Sequence, residues 1–469
     1  MKSQTRQSIF LAATPLLLAS CSQSICETQP GLSACQLAID ITDKRISLSD
    51  EKPTELSPKA MFIRQVPLQL RVLDIRPETL EMDVGSALAT ASITDAGSIG
   101  LTFQRGAFKN KRGGMGTVAI TIDNAVPLGV NGYARFFVRP KFSSAESYHF
   151  NYSANRSPDK LEFGQLIGEA NRSIFVTETV QGATRSTREF IRYLPEKSTN
   201  KLIIDSSFNS SLRDFNDDTL ITLNRSALDG KPAEDYALAY SQLPGTVMSA
   251  ISIQASNMKL APSTLMASTF IPMAMRGMDH SEKFFVIGKT GLAPAPEVKS
   301  VVFAKGSFQL ISTAPLPITD GLRLASASPS HARTNDPDAA KAFDAVVLTK
   351  ASQFLFIKHG VANTATALGE ALSTAFQSIV PKDKLAAGIA LADLDDDGLQ
   401  DVLVAPGEGQ PLYWAAQKAN GTFEPPAILI EKLSGVRDIA VGDIDGDGLL
   451  DVAVATATGL TVYRNSAWQ

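Results

Sequence analysis

The chain has 469 residues, 44% of them hydrophobic, and its 44 basic against 48 acidic side chains leave a formal charge of −4. That length supplies two or three domains, each able to bury its own core. A nearly balanced charge with no long basic tract argues against nucleic acid or a strongly anionic surface as the main partner.

Lys2 and Arg6 precede an apolar run at 9–19, the pattern of a processing signal over 1–20. The string Leu18-Ala19-Ser20-Cys21 resembles the lipobox of bacterial lipoproteins. The resemblance implies cleavage before Cys21, a diacylglycerol on its thiol and an acyl chain (palmitate) on its amine, enough together for durable anchoring. The alternative is an ordinary secretory signal with an incidental cysteine. Ser22, where aspartate would retain the protein in the inner membrane, implies by the same resemblance the outer membrane of a Gram-negative cell. No later apolar run approaches the ~18 residues a bilayer crossing needs.

Cys26 and Cys35, separated by a stretch with Pro30 and Gly31, can close a local disulfide in an oxidising compartment. Residues 21–60 read as a lipidated tether, with the charged pieces 43–45 and 50–52 suited to exposed turns. Strand-like alternation then recurs at 66–75, 98–104, 117–124 and 133–140 between Gly-, Asp-, Asn- or Pro-rich segments. A small β-sandwich is expected over 61–145. The basic, glycine-rich KNKRGGMG at 109–116 lacks the Gly-Lys-Ser/Thr ending of a phosphate cradle and reads as a solvated turn.

From 150 onward short apolar strands come in pairs: 220–223 with 235–240, 284–288 with 298–303, and 343–348 with 353–357. Asp214, Asn216, Asp217 and Asp218 precede the first pair, and Asn335, Asp336 and Asp338 the third. Within 361–380, Ala, Leu and Phe recur every three or four positions, which fits a helix of about three turns. A linking strand is the other reading, because Phe376 stands before the next acidic loop much as Phe423 stands before the last.

Two acidic loops follow, LADLDDDGLQDVLV at 391–404 and VGDIDGDGLLDVAV at 441–454. Asp393, Asp395, Asp397 and Asp401 occupy positions 1, 3, 5 and 9 of the first loop, and Asp443, Asp445, Asp447 and Asp451 those of the second. Alternating side chains converge only if the chain curls tightly, and Gly398 and Gly448 at position 6 permit that curl. Carboxylates so crowded repel one another unless a cation sits among them, and oxygen-only ligands favour Ca²⁺. The carbonyls of Leu399 and Leu449 are candidates to complete each shell. A helix–loop–helix calcium site is excluded, because position 12 is Val404 or Val454 and the flanks read as strands.

These two motifs resemble the FG-GAP (VCBS) repeats of the integrin α-chain head and of bacterial surface proteins. The resemblance implies an all-β fold, with a β-propeller over 150–469 whose Dx[DN]xDGxxD loops bind structural Ca²⁺. About five to seven blades fit the length, several of them degenerate upstream. The last unit is one strand short, so an early strand is expected to complete its sheet.

No site for catalysis emerges from the sequence. His149, His280, His331 and His359 stand singly, and neither an HExxH pair nor a Gly-x-Ser-x-Gly elbow occurs. Tyr413 and Tyr463 fall at equivalent places in the last two units and are expected between blades, whereas Trp414 could also stack a sugar or peptide. The expectation is a calcium-stabilised surface lipoprotein, with a non-catalytic binding or adhesion role toward a protein or polysaccharide. The alternatives are a propeller enzyme acting on polysaccharide and a scaffold for outer-membrane assembly.

Overall fold

The computed structural model describes residues 39–42, 44–50, 52–56, 70–77, 89–93, 99–103, 113–122, 126–128, 130–164, 172–184, 186–205, 343–349, 351–357, 366–380, 388–407, 409–431 and 433–468, and between 206 and 342 the strands alone. Cys21, Cys26, Cys35, His280, His331 and His359 lie outside them. The chain divides into two units, one of Met1–Arg139 with Asp395–Gly398 and Ala467–Gln469, the other of Pro140–Leu394 with Leu399–Ser466.

In the first unit, Arg45–Ser47, Ala134–Phe137, Gly114–Ile122 and Leu70–Pro77 form one sheet in that order, with Val126–Leu128 also on Gly114–Ile122. Thr54–Glu55, Ile99–Phe103 and Ala89–Ile93 form another. The rings of Phe103 and Phe136 meet edge to face at 6.2 Å and join the two sheets. Strands therefore begin inside the stretch read as tether. Ile39–Asp40 pairs with Val130–Asn131, and Arg45–Ser47 pairs with Ala134–Phe137. Buried Ile41, Ile46, Leu48 and Leu56 show why, since each supplies an apolar side chain to the core. In KNKRGGMG, Gly113, Gly114 and Gly116 are buried and the last three residues already belong to a strand, so this part is not a solvated turn.

The second unit is a β-propeller of six blades among the described residues. Blades two to five are separate antiparallel sheets, and blades one and six are joined into one nine-stranded sheet by the parallel pair of His149 and Lys201. Blade one is Arg156–Gly164, Ser173–Gln181, Ser186–Glu196 and Lys201–Ile204. Blade two is Thr219–Arg225, Glu234–Tyr240, Met248–Ser252 and Ala261–Ser263, and blade three is Phe270–Gly277, Lys283–Thr290, Glu297–Ala304 and Ser307–Pro315. Blade four has three strands, Leu322–Pro329, Phe343–Thr349 and Phe354–Ile357. Blade five is Gly388–Ala392, Asp401–Ala405, Leu412–Ala415 and Ala427–Ile430. Blade six takes Val436–Gly442, Asp451–Thr456 and Gly459–Tyr463 from the end of the chain and Tyr148–Asn151 from far upstream. The first strand of each blade packs on the first strand of the next, and that of blade six packs on that of blade one, so the ring closes.

The apolar pattern explains the stacking. All five residues of Asp401–Ala405 are buried. Val402 and Val404 face Val346, Phe354 and Phe356 of blade four, while Leu403 and Ala405 face Ile439, Val452 and Val454 of blade six. A strand buried on both faces reads as a continuous apolar run, as DVLVA does. At the closing seam Leu161, Phe163, Ile174 and Val176 of blade one meet Ala453, Ala455, Leu460 and Val462 of blade six. A Cβ on Gly442 would lie 2.5 Å from the ring of Phe163, so the seam approaches closely because this position lacks a side chain. Tyr148, Phe150 and Asn151 pair with Val462, Leu460 and Gly459, which protects the edge that the last strand would otherwise expose.

The segment open between helix and strand is a helix, Thr366–Phe376, lying against the third strand of blade four. Ser373 Oγ accepts the Phe354 N–H at 2.9 Å, and the Phe376 ring packs 5.3 Å from that of Phe354. The upstream repeats also need one correction. Thr219–Arg225 and Glu234–Tyr240 are the first and second strands of their blade, not the two that follow an acidic loop. The carboxylates at 214–218 therefore precede blade two and do not occupy the hairpin that carries the loops of blades five and six.

Candidate metal centre

Each acidic loop joins the first strand of its blade to the second, in blade five and in blade six. The turn needs left-handed backbone at positions 4 and 6: Asp396 and Gly398 have φ of 59° and 85°, and Gly446 and Gly448 have 78° and 88°. The spacing read from sequence thus produces the same curl twice.

Position 9 opens the second strand, and its carboxylate serves the backbone in both loops. Asp401 accepts N–H from Leu394 at 3.2 Å and Gln417 at 3.0 Å, together with the indole N–H of Trp414 at 3.0 Å. Asp451 accepts N–H from Ile444 at 2.9 Å and Asn465 at 2.8 Å. Burial pushes the Asp451 carboxyl well above the usual carboxylate range. Those two N–H groups oppose the shift, and the charges of Asp445 and Asp447 add to it.

The remaining carboxylates differ between the loops. In the second, ligand oxygens of Asp443, Asp445 and Asp447 lie within 4.8 Å of one another, and all three residues are half-buried. Asp443 is held by Gly446 N–H at 2.8 Å and Gly448 N–H at 3.0 Å, and Asp447 by Leu449 N–H at 2.9 Å. Arg464 Nη1 stands 3.6 Å from Asp445 Oδ2. Oxygens no farther apart than twice a calcium–oxygen bond of about 2.4 Å meet the distance condition for sharing one such ion. In the first loop Asp393, Asp395, Asp397 and Asp401 are each buried. Asp395 pairs with Arg45 Nη2, and Arg45 Nε lies 3.4 Å from Asp397 Oδ2. Arg135 Nη1 donates to the Asp397 carbonyl at 3.0 Å, and Gly113 N–H to Asp396 Oδ2 at 2.7 Å.

Arg45, Arg135 and Gly113 are absent from the sequence reading of the site. Arg45 sits in a piece read as an exposed turn, yet its side chain is 11% exposed and its guanidinium lies 4.4 Å from the Phe137 ring centre. No motif signals these residues, because only strand register brings Arg45 opposite Arg135. Trp414 is buried between blades five and six with its N–H on Asp401, so its face is not a stacking platform. Tyr413 and Tyr463 pack against the clusters on either side, as expected for residues between blades.

Residues 393–454 match the family model of the FG-GAP-like repeat, so the paired acidic loops and the strands between them carry that repeat. The protein is thus a β-propeller in which blades five and six hold an FG-GAP-like segment. No curated protein matches the chain. Among solved structures it is similar to AofleA from Arthrobotrys oligospora, at 12% identity and a TM-score of 0.40 over 68% of this chain and 86% of that one. It is also similar to the six-bladed fucose-recognising lectin of Aleuria aurantia, at 8% identity and a TM-score of 0.35 over 69% and 93%. A third is the rhamnogalacturonan lyase YesW, at 9% identity and a TM-score of 0.32 over 92% and 91%. The strand pairing and the inner ring, not these distant likenesses, define the wheel.

Proposed function

We propose that this chain is a calcium-stabilised, non-catalytic binding propeller, tethered through lipid on Cys21 to a bacterial outer membrane, periplasmic or surface-exposed. Its partner would be a protein or polysaccharide at the cell surface. The observation that carries the calcium reading is the second loop, where Asp443, Asp445 and Asp447 gather half-exposed oxygens at a blade hairpin. A hard divalent ion bound there would offset their mutual repulsion and hold two strands of blade six together.

The non-catalytic reading draws on the ionisable cluster of Glu178, Arg156, Glu189 and Tyr193. Glu178 is fully buried, and Arg156 bridges it to Glu189 at 2.9 Å to each. Such a network suits packing within a blade better than turnover of a substrate.

Calorimetric titration of the full chain with calcium chloride tests the metal, with saturable binding and a raised unfolding temperature as the supporting result. No heat and no thermal shift at millimolar calcium would remove this reading. Labelling of cells with radioactive palmitate, compared between the natural chain and Cys21→Ser, tests the anchor separately.

A further inference from the structure

The two acidic loops share a sequence pattern but not an electrostatic environment. In the first, Arg45 reaches the carboxylates at positions 3 and 5 together, Asp395 through Nη2 and Asp397 through Nε at 3.4 Å. Both of those side chains are fully buried, and the guanidinium is itself 11% exposed and lies over Phe137. Asp395 spends its other oxygen on the Asp397 N–H at 3.3 Å. Asp401 is engaged by two backbone N–H groups and an indole. Arg135, whose Cα lies opposite that of Arg45 in a parallel strand pair, adds a bond to the Asp397 carbonyl, and Gly113 N–H fixes Asp396.

The surroundings of the second loop differ. Its arginine, Arg464, stands 3.6 Å from Asp445, lies over the Tyr148 ring at 5.2 Å and donates to the Glu146 carbonyl. The carboxylates of Asp443, Asp445 and Asp447 are half-buried, whereas Asp395 and Asp397 are fully buried.

We infer that Arg45 is the resident cation of the first loop, so that calcium exchanges at the second loop alone. Positions 3 and 5 are the side chains that must turn toward an ion, and a guanidinium bridging them neutralises the charge that would attract one. A buried bridge of this kind holds its geometry without a metal, whereas loss of one partner leaves an uncompensated buried charge. This inference rests on the calcium reading of the second loop and narrows it from two exchangeable ions to one.

The test is calcium stoichiometry by calorimetry on the full chain. The natural chain should bind one ion and Asp445→Asn none, whereas Arg45→Gln should bind two. Two ions in the natural chain, or one in both it and Arg45→Gln, would overturn the role of Arg45 while leaving the second loop as a calcium site. None in the natural chain and one in Arg45→Gln would support the role of Arg45 and remove calcium from the second loop. None in either would overturn both. Should Arg45→Gln not fold, Asp393→Asn gives the answer instead. It should keep one ion per chain, and a loss of calcium from that variant would overturn the inference.

Discussion

Asp438, buried on the first strand of blade six, accepts the backbone N–H of Leu161 on the first strand of blade one at 3.0 Å. The ring of inner strands is thus joined by a side chain at the seam where the sheets from the two ends of the wheel meet. Asp438→Ala leaves a buried N–H without this acceptor, which costs about 1–3 kcal/mol. Urea midpoints should fall accordingly, whereas Asp438→Asn, which keeps an acceptor oxygen, should recover most of the loss.

The same seam is tight at Gly442. A methyl group there would meet the Phe163 ring, so Gly442→Ala should destabilise by about 1–3 kcal/mol through overpacking. Gly442→Ala combined with Phe163→Leu should cost less than the two single substitutions added together. A double-mutant cycle in urea measures that coupling.

Calcium should raise the unfolding temperature of the natural chain, because an ion bound only to the folded state stabilises it by mass action. At a hundredfold excess over the dissociation constant the gain is about 2.7 kcal/mol. Asp445→Asn should abolish the difference between calcium and chelator while altering the chelated midpoint little. Scanning calorimetry in both buffers supplies the four midpoints.

Acid should stabilise the fold through Glu178. Burial raises its carboxyl above the usual range, against the hydroxyl of Tyr193 and the guanidinium of Arg156. The unfolded chain loses that proton near pH 4.3, while the folded chain keeps it to higher pH. The group's contribution is therefore complete below pH 4.3 and is lost as pH rises through the raised value. Glu178→Gln has no proton to exchange, so its stability relative to the natural chain should improve from pH 4 toward neutrality. Urea midpoints in calcium-free buffer across that range check the sign.

The loops were legible in the sequence because their chemistry is local. Position 6 glycines, alternating aspartates and flanking apolar runs all lie within a dozen residues, and the backbone angles at Gly398 and Gly448 follow from that pattern. The missing strand of blade six was legible too, since a sheet that lacks one member needs a partner to cover its edge. Upstream, the degenerate hairpins give no such anchor, and the acidic residues at 214–218 precede what is the first strand of a blade, where the later loops precede the second. Arg45 was out of reach for a different reason. It lies 350 positions from Asp395, and neither residue type nor spacing encodes a contact made by strand register.

The pairing of Tyr148–Asn151 with Gly459–Tyr463 sets an order on folding during synthesis. A ribosome releases the upstream strand before every other strand of the six blades and its partner only with the second arm of the Asp451–Tyr463 hairpin. The inner circle likewise stays open, with one side of blade one bare, until Val436–Gly442 has emerged to pack on Arg156–Gly164. Truncation before Gly459 should thus leave Tyr148–Asn151 without its partner and blade six with an open edge, a lesion that quality-control proteases read as exposed apolar surface.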